Sequence, residues 1–367
     1  MLSLTIACAV AVLAIWIGYP IAIWAASRFR PQPPQHVGAT ASVSVIFATR
    51  ESADLIARRV GDVMAQAYGG LSEVVIGLDA ASLTRVDEVR AAVPSVVVVK
   101  AAEAPGKAAA LNAAVAAASA EVLVFVDAAQ RFAPGAIDAL TASLKDERFG
   151  AVSGALQIGA DDRPRSPAEW YWRGERWLRE CEARLHSPIG VTGAIYAMRR
   201  SLWRPLPNGV ILDDVHTPMR LLLEGHRVGF ARHAVAIDDR RFAAPKEYRR
   251  KVRTLTGVVQ VCVLLPKILR PLQNPVYLQF VIHKLMRLLT PYLVLLGLAA
   301  GTVWAFTRLW PAVGSYRWYA LAVVAAGVCG LAFVQKLRSA VTEFAAMHVA
   351  IIRATANGVT GKWDVWM

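Results

Sequence analysis

Between residues 43 and 126, short and continuously apolar runs alternate with longer stretches of helical character. The runs are VSVIFA (43–48), VVIGL (74–78), SVVVV (95–99) and VLVFV (122–126), and the stretches between them cover 53–67, 82–92 and 107–118. A strand with no polar alternation is buried on both faces, the condition of a parallel sheet covered by helices. The pattern therefore predicts an α/β domain. Open parallel sheets bind ligands beyond the carboxyl ends of their strands, so the residues that follow each run are the informative ones. Thr49, Arg50 and Glu51 follow the first, Asp79 the second, Gly106, Lys107 and Asn112 the third, and Asp127 the fourth. No G-x-G-x-x-G follows the first run, which disfavours a dinucleotide fold. Gly106-Lys107 lacks the upstream glycine and the following hydroxyl residue of a P-loop, and metalloprotease, serine-hydrolase and kinase patterns are absent.

Composition puts this sheet beside a membrane. Apolar residues make up 56% and charged residues 19% of the chain, against roughly 45–50% and about 25% in a soluble domain. Residues 2–27 carry no charge and are long enough to span a bilayer. Arg28 and Arg30 come after the apolar stretch, whereas a cleaved signal peptide carries its basic residues before it. This reads as a retained anchor with the N-terminus outside and residue 28 onward in the cytoplasm. Residues 288–307 and 318–335 read as two further spans, with Lys284 and Arg287 before them, Lys336 and Arg338 after them, and Trp304, Trp310, Trp318 and Tyr319 at interfacial positions. The stretches 254–266 and 271–283 are shorter and broken by Pro266, Pro271 and Pro275. They read as helices on the membrane surface or as buried core helices. Residues 31–41, with Pro31, Pro33 and Pro34, form a stiff linker. The expected organisation is an anchor (1–30), a cytoplasmic domain (31–253), interfacial helices (254–287), two spans (288–338) and a cytoplasmic tail with an amphipathic helix (339–367).

Lys+Arg number 41 against 27 Asp+Glu, a net +14. That charge suits anionic lipid or a phosphorylated ligand. With no zinc-finger or RNA-binding signature, nucleic acid is not an expected partner. Cys8, Cys181, Cys262 and Cys329 are scattered, which implies reduced thiols and neither a disulfide framework nor a zinc site.

Specific motifs appear in order. SVIFATRES, VVIGLDAAS, PGKAAALNAAV and VLVFVDAAQRFAPGAI are followed by GVTGAIYAMRRSLW, ILDDVHTPMRLLLEGHRVGF and EYRRKVRTLTGVVQ. This series, over about residues 40–260, resembles the membrane-bound family-2 inverting glycosyltransferases of the GT-A fold, the type that makes exported polysaccharides and glycolipids.

The resemblance implies roles. Thr49, Glu51, Asp79, Lys107 and Asp127 would border the donor nucleotide. Asp79 stands where the family contacts the uracil of a UDP-sugar; as a strand-end acid it also reads as a turn residue. Asp127 matches the first acid of the family's D-x-D motif, which holds a divalent ion (Mg²⁺ or Mn²⁺) on the diphosphate, and Ala129 replaces the second. Lys107 reads either as a loop anchor or phosphate contact, or as a solvated lysine at a helix start. Asp213-Asp214 occupies the place of the family's acidic pair. Asp214 would be the general base and Asp213 its neighbour; the other reading is a cap for a helix over 215–224. Arg250 and Arg253 fall where processive synthases carry Q-x-x-R-W, with Arg253 on the arginine of the motif and Thr254 in place of Trp. They would face the leaving diphosphate, or form a lipid-binding basic stripe with Lys246 and Lys251. Gly190 and Gly193 read as a close-approach loop near the acceptor, or as a simple turn.

The expected function is inverting transfer of a sugar from a nucleotide-diphosphate donor, expected to be UDP-linked, to a glycan or lipid-linked acceptor at the cytoplasmic face of an inner membrane. Membrane lipids and further subunits of an export complex are the expected partners. The alternatives are transfer to a polyprenyl phosphate, and a non-catalytic nucleotide-sugar-fold scaffold in an export complex.

Overall fold

The computed structural model describes residues 1–30, 41–101, 105–159, 167–239, 244–316 and 335–363, with scattered positions between 318 and 330. The linker expected at 31–41 and most of the third span expected at 318–335 fall outside the described residues. The described residues divide into two compact units, one from segments within 22–241 and 260–280, the other from segments within 1–21, 242–259 and 281–363.

The first unit is built on an eight-stranded sheet. Its strands are β1 (Val43–Thr49), β2 (Leu71–Leu78), β3 (Val97–Lys100), β4 (Val122–Val126), β5 (Arg131–Phe132), β6 (Phe149–Ile158), β7 (Ile195–Arg199) and β8 (Arg227–Asp238). They lie in the order β3-β2-β1-β4-β7-β6-β8-β5. The β-branched runs read from sequence form the parallel half, with β1 between β2 and β4 and Val45 facing Val74 on one side and Val124 on the other. Val45, Phe47, Ile76, Val124 and Val126 turn one face into a shared core with Ile56, Val60, Ile137 and Leu140.

Helices cover the sheet: α2 (Ala53–Met64), α3 (Val86–Ala92), α4 (Lys107–Ala117), α5 (Ala136–Leu144), α6 (Pro167–Leu185) and α7 (Asp213–Leu223), after the N-terminal α1 (Leu2–Ser27). Alanine-rich α4 lies close on β2 because Gly77 has no side chain; a Cβ there would run into the backbone carbonyl of Ala110. Gly106 caps the start of helix α4, and its φ of +129° is costly for any residue with a Cβ. β7 runs antiparallel to β4, with Val126 facing Ile195. The start of β7 therefore reaches the same sheet edge as the end of β4.

Longer helices follow: α8 (Ala244–Leu264), whose last residues belong to the first unit, α9 (Tyr277–Arg308), whose first residues do, and α10 (Gln335–Val359) in the second unit. Helices α1 and α9 are both long and apolar enough to cross a membrane. Gly297 and Gly301 of α9 form a G-x-x-x-G pair facing α1. A Cβ on Gly297 would lie 3.1 Å from Cys8 Cβ, and one on Gly301 would lie 3.4 Å from Thr5 Cγ2. Small residues at this spacing let two apolar helices approach closely. The contact is completed by Trp16 Nε1 donating to Thr290 Oγ1 at 3.0 Å. Ile6, Val10, Leu13, Leu295 and Leu298 remain exposed on these helices. Helix α8 packs on α10 through Val252, Ala350 and Ala354.

Two sequence expectations change. The boundary at 253/254 falls inside α8, so 254–266 is mainly the end of a longer helix. The short helix expected at 271–283 is replaced by the start of α9, which follows Pro275 and runs through Pro291. Wider π-type turns at Val281–Met286 and Ala305–Leu309 take up the change in hydrogen-bond register along α9.

Candidate active site

The carboxyl ends of β1, β2 and β4 and the start of α4 surround a cavity of about 250 Å³ lined by Ala48, Thr49, Arg50, Glu51, Asp79, Lys107, Ala110, Asp127, Ala128 and Ala129. All five donor-side residues expected from sequence, Thr49, Glu51, Asp79, Lys107 and Asp127, thus meet at one opening.

Lys107, the first residue of α4, reaches across the cavity edge. Its Nζ lies 3.1 Å from Asp127 Oδ1 and 3.4 Å from Asp213 Oδ2. Asp127 follows the last residue of β4, and Asp213 is the first residue of α7. One ammonium therefore joins the acid of the first half of the chain to the acidic pair of the second. Burial opposes the charge on Lys107, but the carboxylates of Asp127, Asp213 and Asp214 more than offset this and hold its pKa above the ordinary lysine value. A raised lysine pKa contributes stability that is complete below the unfolded-state value, about 10.4, and is lost only as pH rises beyond it. The cation is therefore in place at every physiological pH, and the solvated-lysine reading does not hold.

The loop ahead of β7 holds Asp214. Val191 N–H donates to the Asp214 carbonyl at 2.8 Å. A Cβ on Gly190 would stand 3.0 Å from that same carbonyl oxygen, and one on Gly193 would stand 3.3 Å from Asp214 Oδ2. The two glycines let the loop close on Asp214. Thr192 between them is fixed to β6, with its N–H donating to Ser153 Oγ at 2.8 Å and its hydroxyl to the Gly154 carbonyl at 2.7 Å. Helix α7 begins two residues earlier than expected, with Leu212 at the cap position and no side-chain capping bond. Asp214 is thus inside the first turn and is not the cap. The positive end of the helix favours its carboxylate there.

Asp79 is buried, and its carboxylate is fully engaged. Oδ2 meets Arg50 Nε at 2.9 Å and accepts from Gly106 N–H at 2.8 Å, while Oδ1 accepts from Ala81 N–H at 2.8 Å. It ties the ends of β1 and β2 to the start of α4 and at the same time lines the cavity. Thr49 Oγ1 accepts from Glu51 N–H at 3.0 Å, which shapes the opposite lip. Arg250 and Arg253 lie on α8 within the other compact unit and are not among the residues that form this cavity.

Sequence reasoning missed Tyr196 and left Arg50 without a role. Tyr196 on β7 is fully buried and stacks on Phe125 of β4 with 4.5 Å between ring centroids. Burial, and then the charges of Asp213, Asp214 and Asp127, push its hydroxyl well above its ordinary pKa. A tyrosine in an otherwise apolar buried strand, just after Gly193, was the available signal.

Among the described residues, no group of three or more His, Cys, Asp or Glu is arranged to hold a metal. Asp127 offers a single hard carboxylate that is 35% exposed on the cavity. That donor set fits a hard divalent cation that takes its other oxygens from a diphosphate and water, and it does not fit a soft metal.

The fold is that of a GT-A domain. Residues 40–257 match the family described as "Glycosyltransferase like family 2", and the chain belongs to that family: it is a glycosyltransferase. No curated protein matches it. Among solved structures it is similar to the mannosyltransferase PcManGT from Pyrobaculum calidifontis in complex with GDP-Man and Mn²⁺, at 24% identity over 97% of this chain and 99% of that one, with a TM-score of 0.69. It is also similar to mannosyl-3-phosphoglycerate synthase from Rubrobacter xylanophilus, at 16% identity over 65% and 82% of the two chains, with a TM-score of 0.44.

Proposed function

We propose that the chain transfers a sugar, with inversion, from a nucleoside-diphosphate sugar to a glycan or lipid-linked acceptor at the cytoplasmic face of a membrane. The observation that carries this reading is the Lys107 ammonium between Asp127 and Asp213, which joins a donor-side acid to the acidic pair beside it. Asp214 accepts the proton of the acceptor hydroxyl as its oxygen attacks the anomeric carbon. The bond from that carbon to the diphosphate breaks in the same displacement, and the electron pair leaves with the β-phosphate. General-base help of this kind is worth about 10²–10⁴-fold in rate. Asp213 and Lys107 fix the base beside the donor opening. Asp127 is the residue that would hold Mg²⁺ or Mn²⁺, and a bound ion supplies charge neutralisation at the diphosphate. Release of nucleoside diphosphate from a panel of UDP- and GDP-linked sugars by the membrane-embedded protein tests the proposal; no release from any donor would refute it.

With one carboxylate from the protein, Asp127 would hold the ion only together with the donor. Calorimetry should show weak Mn²⁺ binding to the free protein and binding at least about tenfold tighter with a nucleoside diphosphate present, because hard cations complete their shells with phosphate oxygens. Excess EDTA should abolish turnover. Equal Mn²⁺ affinity with and without nucleotide would contradict joint holding.

The apolar lengths of α1 and α9 and the positions of Arg28 and Arg30 support an N-terminus outside, residues 28–287 in the cytoplasm and 308–317 outside. Reporter fusions at residues 35 and 312 should read cytoplasmic and external respectively. A cytoplasmic signal at 312 would overturn this topology.

A further inference from the structure

Residues 203–212 lead directly into Asp213 and Asp214. Leu206, Val210, Ile211 and Leu212 of this loop are buried, and Pro205 and Pro207 have no N–H to offer, so the loop cannot satisfy its backbone with a regular ladder. Two carboxamide side chains do so instead, each with both of its polar atoms. Asn112 Nδ2 donates to the Leu206 carbonyl at 2.9 Å, and Leu206 N–H donates to Asn112 Oδ1 at 2.8 Å. Gln260 Nε2 donates to the Gly209 carbonyl at 2.9 Å, and Ile211 N–H donates to Gln260 Oε1 at 2.9 Å. Gln260 is 2% exposed. The loop thus has one clamp near its middle and a second two residues before Asp213. Asn112 lies on α4, the helix whose first residue is Lys107. One helix therefore holds both the carboxylate of Asp213 and the segment that delivers it. The Trp203 ring, 5.3 Å from that of Phe125, fixes the loop entrance against β4.

We infer that Asn112 and Gln260 are positioning residues that set Asp213 and Asp214 against Lys107 and Asp127. The inference rests on the reading of Asp214 as the base. Neither side chain lines the cavity; each acts through the loop backbone. Displacement of a catalytic group by about 1 Å can cost about 10²-fold in rate, so loosening either clamp should act on turnover much more than on donor binding. If the amides merely satisfied buried backbone groups, their loss would lower thermal stability and leave the folded enzyme's turnover unchanged.

The test uses full-length protein in membranes or detergent with Asn112→Ala, Gln260→Met and the double variant. Hydrogen exchange is read by mass spectrometry, turnover per folded molecule by nucleotide release, and donor affinity by calorimetry. Exchange should rise in 203–212 and at the start of α7, while β7 stays protected. Turnover should fall by about tenfold to a hundredfold with donor affinity within about twofold of wild type. Because both clamps hold one loop, the double variant should lose less than the product of the two single losses. Turnover unchanged in both single variants would overturn the inference, as would unchanged exchange in the loop. If the wild-type chain released no nucleotide from any donor, the functional reading would fall, and exchange at the start of α7 would still decide the clamp: protection lost there in the variants supports it, and protection retained overturns it.

Discussion

Asp214→Asn should reduce turnover by about 10²–10⁴-fold, the usual worth of general-base catalysis, while donor affinity stays within about twofold. The substitution keeps size and hydrogen-bonding groups and removes the proton acceptor. Its contacts make that loss specific. The Asp214 carbonyl is held by Val191 N–H at 2.8 Å, and Gly193 closes on the side chain without a Cβ to intrude, so the backbone around the substituted position has no reason to move. A capping acid would tolerate the change, since Asn caps helices as well as Asp, but the cap position belongs to Leu212. Nucleotide release checks turnover and calorimetry checks donor affinity. A variant with near wild-type turnover would remove Asp214 from the chemistry.

Lys107→Met should be costly in a different way. It keeps the apolar stem and removes the charge shared by Asp127 and Asp213. The Asp213 side chain is 8% exposed, and its Oδ2 accepts no hydrogen bond among the described residues, so the carboxylate would be left buried without its counter-charge. Removing one partner of a buried pair costs about 3–5 kcal/mol. Lys107 keeps 23% exposure, which places the expected loss near about 3 kcal/mol, the lower end of that range. Chemical unfolding of the purified protein measures it, and Lys107→Arg should recover part of the loss because the charge is restored. A solvated lysine would instead change stability by about 0.5 kcal/mol or less. Turnover of the remaining folded Lys107→Met protein should also fall, since Asp213 and the donor opening are no longer linked.

The first half of the sheet was legible because its signals are local. Each apolar run between 43 and 126 became a strand within a few residues of its expected ends, and the acid or lysine after each run lines the cavity. The second half was not legible in the same way. β6, β7 and β8 mix small, polar and apolar residues, and they pair with one another and with β4 across long stretches of chain, so no local period announces them. Asp213 and Asp214 were found through motif resemblance, and the structure places the helix start at Asp213. The clamps could not be read at all: Asn112 and Leu206 are 94 residues apart, and Gln260 and Ile211 are 49 apart. An isolated carboxamide in a helix carries no sign of the loop it will hold. Pro275 misled in the opposite direction. It reads as a break within 271–283, but it stands just ahead of α9, which continues through a changed register at Val281–Met286.

The proposed site joins Asp127, through Lys107, to Asp213 and so to the pair that carries the proposed base, and the comparison of Asp127→Asn with Asp214→Asn tests it most directly. Both variants and the wild type are measured for nucleoside-diphosphate affinity in the presence of Mn²⁺ and for nucleotide release. The expected result is a division of labour: Asp127→Asn weakens nucleotide and Mn²⁺ binding, whereas Asp214→Asn binds both normally and turns over about 10²–10⁴-fold more slowly. An Asp214→Asn protein that turns over like the wild type, or an Asp127→Asn protein that binds nucleotide and Mn²⁺ unchanged, would contradict it.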